Sequence, residues 1–260
     1  MSHVDCDKEY KRHLQVFFQY IFNNGDINAN CPQISSSARN IFSKLKSYRD
    51  DANWSLSIEP PWIISIENDR NFHNRSALLV IGGKIRVADS RFTLYSLSTC
   101  IVIDPETRYM REERTRTGEI ESCCGIVAEC PPLSRVARRF HFDIHTESGD
   151  GVKPICHMQY GGRAGELDLH TFHYCLDPWL EKPRFPYPPV DIPLLFDLLL
   201  RQFGTSLSEK FVDEIYWRNL VKKSERFLLE KYYNQITQYF NRDSDVTLYE
   251  RLCGLSRSWT

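Results

Sequence analysis

A chain of 260 residues, 42% hydrophobic and 13% aromatic, can bury a sizeable core as one large domain or two small ones. Its 33 basic and 34 acidic side chains nearly cancel, which excludes a global field drawing it to nucleic acid or an anionic membrane, so any nucleic-acid contact must use a local basic patch. No apolar run reaches the roughly 18 residues a membrane span needs, and Met1–His13 carry no signal-like apolar core, so the expectation is a cytoplasmic chain without membrane contact.

In chain order, Leu14, Phe17, Phe18, Ile21 and Phe22 mark one face of a first helix over 8–23, broken at Asn23-Asn24-Gly25-Asp26. A second helix is expected from a cap among Ser35, Ser36 and Ser37 to about Arg49. Trp54 to Ile66 alternates but contains Pro60-Pro61, which permits an edge strand or an extended approach to the sheet and argues against a central strand, so the sheet proper is expected to start later. Gly82-Gly83, between Ala77–Ile81 and Lys84–Ala88, reads as a two-residue hairpin turn, and Asp89-Ser90 as the turn into a long central strand ending at Asp104-Pro105. Tyr109 to Arg116 is charged enough to be a solvated edge strand, and 120–132 is a connection. Six of the 13 prolines fall between Pro178 and Pro193, a stiff connector. Beyond it Asp191 caps a helix with Pro193 in its first turn, which runs apolar to Phe203. From Ser208 onward an aromatic stripe at helical spacing reads as core, with a break near Lys222 to Ser224 and a short last helix over 248–253.

The stretch Arg135 to Gly162 concentrates the chemistry. Val136, Phe140, Phe142 and Ile144 alternate with Arg135, Arg139, His141, Asp143 and His145, the period of a strand with one buried face. A loop with Gly149 and Gly151 leads to a second alternating run in which Cys156, Met158 and Tyr160 oppose His157 and Gln159. A hairpin with 145 facing 157, 143 facing 159 and 141 facing 161 gathers His141, Asp143, His145, His157 and Gln159 on one polar face. One-sided antiparallel sheets ordinarily solvate such a face, and that plain reading stands beside the functional one.

Phosphate loops, GxSxG elbows, HExxH helices and strand-borne GxGxxG are all absent, which removes the commonest nucleotide-hydrolysing, esterase and metalloprotease designs. What remains is imidazole chemistry. Two of His141, His145 and His157 can divide phosphodiester cleavage, one accepting a ribose 2′-hydroxyl proton and one protonating the leaving oxygen, with Asp143 orienting a ring and Arg135, Arg139 or Arg163 holding the phosphate charge. This needs no cofactor. The same histidines and Asp143 are also the donor types for a divalent metal that activates water. The alternating RRFHFDIH strand, its glycine-containing turn and His157 resemble the TumE-like toxins of bacterial toxin–antitoxin systems over Arg135 to Gly162. That resemblance implies a bacterial stress or anti-phage defence protein, a nuclease-like effector controlled by a partner. The competing reading is a non-enzymatic subunit that binds a protein partner of such a complex, or a second copy of itself.

The sequence therefore predicts one α+β domain. Helices occupy 1–50, an antiparallel sheet of meander and hairpins 54–177, the Pro-rich connector 178–193 and a helical layer 194–260. Its nine cysteines lack the paired-knuckle spacing of a zinc site, and several sit in apolar runs, so they are expected to be free thiols, with Cys100 and Cys156 buried. Thiol titration of the denatured, unreduced protein should count all nine; two missing thiols would indicate a disulfide.

Overall fold

The computed structural model describes residues 8–69, 75–103, 134–144, 155–160, 174–175, 184–203, 207, 212–241, 247–248 and 252, without side chains at 67–69, 75–76, 103, 134–138, 174–175 and 184. The α+β expectation holds: helices at both ends of the chain flank an antiparallel sheet. The charged run 109–116, the connection 120–132 and most of the last short helix lie outside the described residues.

Helix α1 (Lys8–Asn23) buries Tyr10, Leu14, Phe17, Phe18 and Ile21, the face its spacing marks. The predicted break is itself a start signal. Asn24 Oδ1 accepts the N–H groups of Asp26 and Ile27 at 3.0 and 3.1 Å and opens a short α2 (Gly25–Asn30). Helix α3 (Pro32–Ser47) begins earlier than the serines suggest, because Pro32 fits a first turn where no N–H partner is needed. The serines lie inside it as pins: Ser37 Oγ accepts from Trp62 Nε1 at 3.0 Å, and Ser35 Oγ donates to the Phe22 carbonyl at 3.3 Å.

Seven strands form one sheet among the described residues: β1 (Trp54–Asp69), β2 (Arg75–Ala88), β3 (Arg91–Ile103), β4 (Ser134–Ile144), β5 (Cys156–Tyr160), β6 (Tyr174–Cys175) and β7 (Arg184–Pro186). The order is β1-β2-β3-β4-β5-β7, each neighbour antiparallel, with β6 pairing β4 in parallel. The sheet thus starts at Trp54 and not at Ala77. Strand β1 lies at its edge, as the prolines require, and its register shifts between Ile58 and Trp62 around them.

Gly82-Gly83 is not a turn. β2 runs straight through it, with Gly82 opposite Ser98 and Gly83 opposite Leu97. A Cβ built on Gly83 would lie 2.6 Å from both Leu97 Cδ2 and the Ser96 carbonyl oxygen. The glycine is there for close approach of β3, which a pair of apolar flanks imitates as a turn signal. The turn comes at Asp89-Ser90, both at positive φ (51° and 60°), the shape whose twist suits a hairpin. Within the Pro-rich connector, Arg184–Pro186 add a strand beside β5, so this stretch is partly sheet.

The C-terminal layer comprises α4 (Ile192–Phe203), α5 (Ile215–Glu225), a π-helical turn at Arg226–Glu230 and α6 (Lys231–Phe240). Asp191 caps α4 as expected, its Oδ1 accepting the Leu194 N–H at 2.9 Å. The helices meet the sheet in one aromatic knot: Phe17, Trp62, Phe196 and Trp217 have neighbouring ring centroids 5.8 to 6.4 Å apart. Trp217 Nε1 is satisfied by Asp197 Oδ1 at 2.8 Å, which lets the indole be fully buried. One face of the sheet is therefore committed to the helices, and the other carries the buried Val80, Cys100 and Val102 beside the polar groups of β3 to β5.

Gly83→Ala should destabilise the protein by about 1–3 kcal/mol in denaturant unfolding, because the clash is partly with backbone and cannot be relieved by a rotamer change. A neutral effect would show that β2 and β3 do not approach this closely.

Candidate functional site

Alternation on the three central strands puts Leu97, Phe142 and Met158 in one cross-strand row and Ser96, Asp143 and His157 in the next. The first row faces the helices. The second, with Ser98, His141 and Gln159 beside it, makes the polar face the sequence anticipates. The hairpin register differs by two residues from the expected one: Asp143 faces His157 and His141 faces Gln159. A shift of two preserves which side chains share a face, whereas a shift of one would have buried the histidines among Phe140, Phe142 and Ile144.

His141, Asp143 and His157 are brought together. His141 Nε2 is 2.7 Å from Asp143 Oδ1, and His157 Nε2 is 3.6 Å from Asp143 Oδ2, an ion-pair distance. Arg139 lies two residues before His141 on the same face, opposite Cys100. Arg135 pairs with Ile103, beyond a register shift between Ile101 and Val102 that separates it from Arg139. His145 and Arg163 lie outside the described residues.

The residue that sequence reasoning misses is Ser96. Its Oγ is 2.7 Å from His141 Nε2, and its hydroxyl also hydrogen-bonds Asp143. A signal existed: Ser96 and Ser98, two apart, are the small polar positions of an otherwise apolar central strand.

Burial alone would push the Asp143 carboxyl up. The hydrogen bond and charge of His141, the charge of His157 and the Ser96 hydrogen bond outweigh it and hold the group below its ordinary value. Asp143 is therefore a carboxylate at neutral pH, able only to accept. It follows that His141 keeps a proton on Nε2, shared between the carboxylate and Ser96. Ser, His and Asp are the residue types of a hydrolase triad, but here serine and carboxylate meet the same ring nitrogen. His141 cannot take a proton from Ser96 while Asp143 steadies its other nitrogen, so Ser96 is not an activated nucleophile. Among the described residues no group of three or more His, Cys, Asp or Glu side chains is arranged to hold a metal ion.

Solvation divides the cluster. The side chains of His141 and Asp143 are 13% and 23% exposed, while that of His157 is 0% exposed. Arg139 and Gln159 are buried as well. The face is thus not the open, solvated surface of a one-sided sheet, and proton exchange with an outside molecule has its opening at His141 and Asp143. Comparison with protein-family models, with curated proteins and with solved structures finds no match to the chain.

Substitutions on an exposed polar face cost little, but His157 is not exposed. His157→Ala should lower stability by about 1–3 kcal/mol, through the lost packing and the carboxylate left with a poorer partner. An unchanged melting temperature would show that the buried imidazole does not support Asp143.

Proposed function

We infer that the chain is a nuclease-like enzyme that works on phosphodiesters by imidazole acid–base chemistry, without a resident metal. The observation that carries this reading is one carboxylate held ionised between two imidazoles, with only His141 and Asp143 reaching solvent. Asp143 fixes a proton on His141 Nε2, so whenever the ring is neutral Nδ1 is its basic nitrogen. In the reading, that nitrogen takes the proton of a ribose 2′-hydroxyl as its oxygen attacks phosphorus. A second imidazole gives a proton to the departing 5′-oxygen, so the two transfers balance.

His157 has the buried, positioning role, keeping Asp143 charged. His145 is the second proton-transfer candidate and Arg163 a phosphate ligand, on sequence alone; Arg139 contributes positive charge to the same face. A role in bacterial stress or phage defence rests on the toxin resemblance of Arg135 to Gly162.

The alternative, a subunit that binds a protein partner, is favoured by a different observation. Ile215, Tyr216, Tyr233 and Phe240 on the C-terminal helices are 77%, 52%, 51% and 68% exposed, large side chains that a partner surface could cover.

The deciding experiment is cleavage of a single-stranded RNA with chelator present. His141→Gln, whose amide N–H can still reach Asp143, should keep the wild-type melting temperature. It should lose about 10²–10⁴-fold in cleavage rate, the usual contribution of a general base. Undiminished cleavage by His141→Gln, or none by the wild type, would leave the partner-binding reading.

A further inference from the structure

Away from the sheet face, three buried polar side chains meet where three helices join. His13 of α1 is 1% exposed, and both Ser224 of α5 and Asp191 at the start of α4 are 0% exposed. His13 Nε2 lies 2.7 Å from Ser224 Oγ. Asp191 uses Oδ1 on the Leu194 N–H and its backbone carbonyl on the Leu195 N–H at 2.8 Å. Its other oxygen, Oδ2, is buried with no hydrogen-bond partner, and the Ser224 hydroxyl is the neighbouring side chain that favours the carboxyl's charged form.

The charges around this junction are uneven. Lys223, next to Ser224 and over the Phe227 ring, acts on His13, and the same ring packs 5.6 Å from the imidazole. Among the described residues two hydroxyls also lie at this junction: Tyr10, whose ring meets Phe227, and Tyr95, which donates to the Val190 carbonyl at 2.8 Å. Asp197, further along α4, is engaged with Trp217 and Arg201. Burial lifts the Asp191 carboxyl to about 7, against the pull of the Leu194 N–H, the Ser224 hydroxyl and its own backbone N–H. Burial, then Lys223, lowers His13 to about 4.

An acid and an imidazole joined by a hydroxyl can exist as a neutral pair or as an ion pair. A dry site with Lys223 on the imidazole side disfavours the ion pair, since it would set two positive charges together and desolvate a carboxylate. In the neutral pair an Oδ2–H can donate toward Ser224, whose O–H donates to His13 Nε2, so Asp191 Oδ2 gains a use while the His13 Nδ1–H stays buried without a partner.

We propose that Asp191, Ser224 and His13 form a buried proton latch in which the acid and not the imidazole keeps the proton, locking α1, α4 and α5 together. Through Val190 and Tyr95 the latch is tied to β3, one residue from Ser96. The segment leading into it pairs Pro186 with His157, and the Tyr187 N–H bonds the Cys156 carbonyl. Raising the pH through neutrality ionises Asp191 and loosens this joint. The latch stands whatever chemistry the His141 cluster performs.

The signs give a distinctive test. Asp191, raised from 3.8 to about 7, contributes stability that is complete below 3.8 and lost as pH climbs to about 7. His13, lowered from 6.5 to about 4, contributes stability present above 6.5 and lost as pH falls toward 4. Between about 4 and 6.5 the two slopes offset in the wild type.

Single variants unmask them. Relative to wild type, Asp191→Asn, which retains a capping side chain, should gain about tenfold in its folded-to-unfolded ratio per pH unit across that window. His13→Gln should lose about tenfold per unit. Urea unfolding of the three proteins at several pH values reads both. Two variants that simply parallel the wild type would overturn the latch. Should either fail to fold, infrared spectra of the wild type decide: a protonated-carboxyl band near pH 5.5 that vanishes by pH 8.5 supports it, and no such band refutes it.

Discussion

The polar site depends on one register, that of β3, β4 and β5. Because strand side chains alternate, burying Leu97, Phe142 and Cys156 against the helical layer obliges Ser96, His141, Asp143 and His157 to share the opposite face. The apolar drive that fixes the pairing is nonspecific; the polar constellation it delivers is specific. The polar contacts of Asp143 are thus underwritten by the packing of Phe17, Trp62, Phe196 and Trp217 on the far side of the sheet.

A buried polar cluster is costly unless each group is used, and this one uses its groups on one another. Asp143 serves two imidazoles and a hydroxyl, and the carboxylate stays charged because they outweigh its burial. Such an arrangement sets the proton position on His141 before any ligand arrives, which is the preorganisation that acid–base catalysis draws on. The partial exposure of His141 and Asp143, set against the complete burial of the His157 side chain, separates the groups able to meet a ligand from the one that supports them.

Much of this was legible in the sequence because it depends on period. The alternation of Phe140, Phe142 and Ile144 with His141 and Asp143 names the faces correctly, and the Asp191 cap and the exclusion of β1 from the sheet's centre follow from local rules. What failed depends on partners far away in the chain. Gly82-Gly83 imitates a turn, and only the approach of Leu97 shows why glycine is needed. Ser35 and Ser37 imitate caps until Phe22 and Trp62 supply their partners. The exact pairing of His157 with Asp143 was missed by two residues, since face alternation constrains parity and not offset. Ser96 was passed over because a serine in a central strand acquires meaning only when His141 lies diagonally opposite.

The central claim is that an ionised Asp143 fixes the proton of His141 on Nε2. Long-range proton–nitrogen spectra of imidazole-labelled protein test it directly, at a pH where the His141 ring is neutral. The account predicts the Nε2–H tautomer in the wild type, with a mixture of tautomers in Asp143→Ala. A wild-type His141 carrying its proton on Nδ1 would contradict it, because a carboxylate and an unprotonated Nε2 cannot stay hydrogen-bonded.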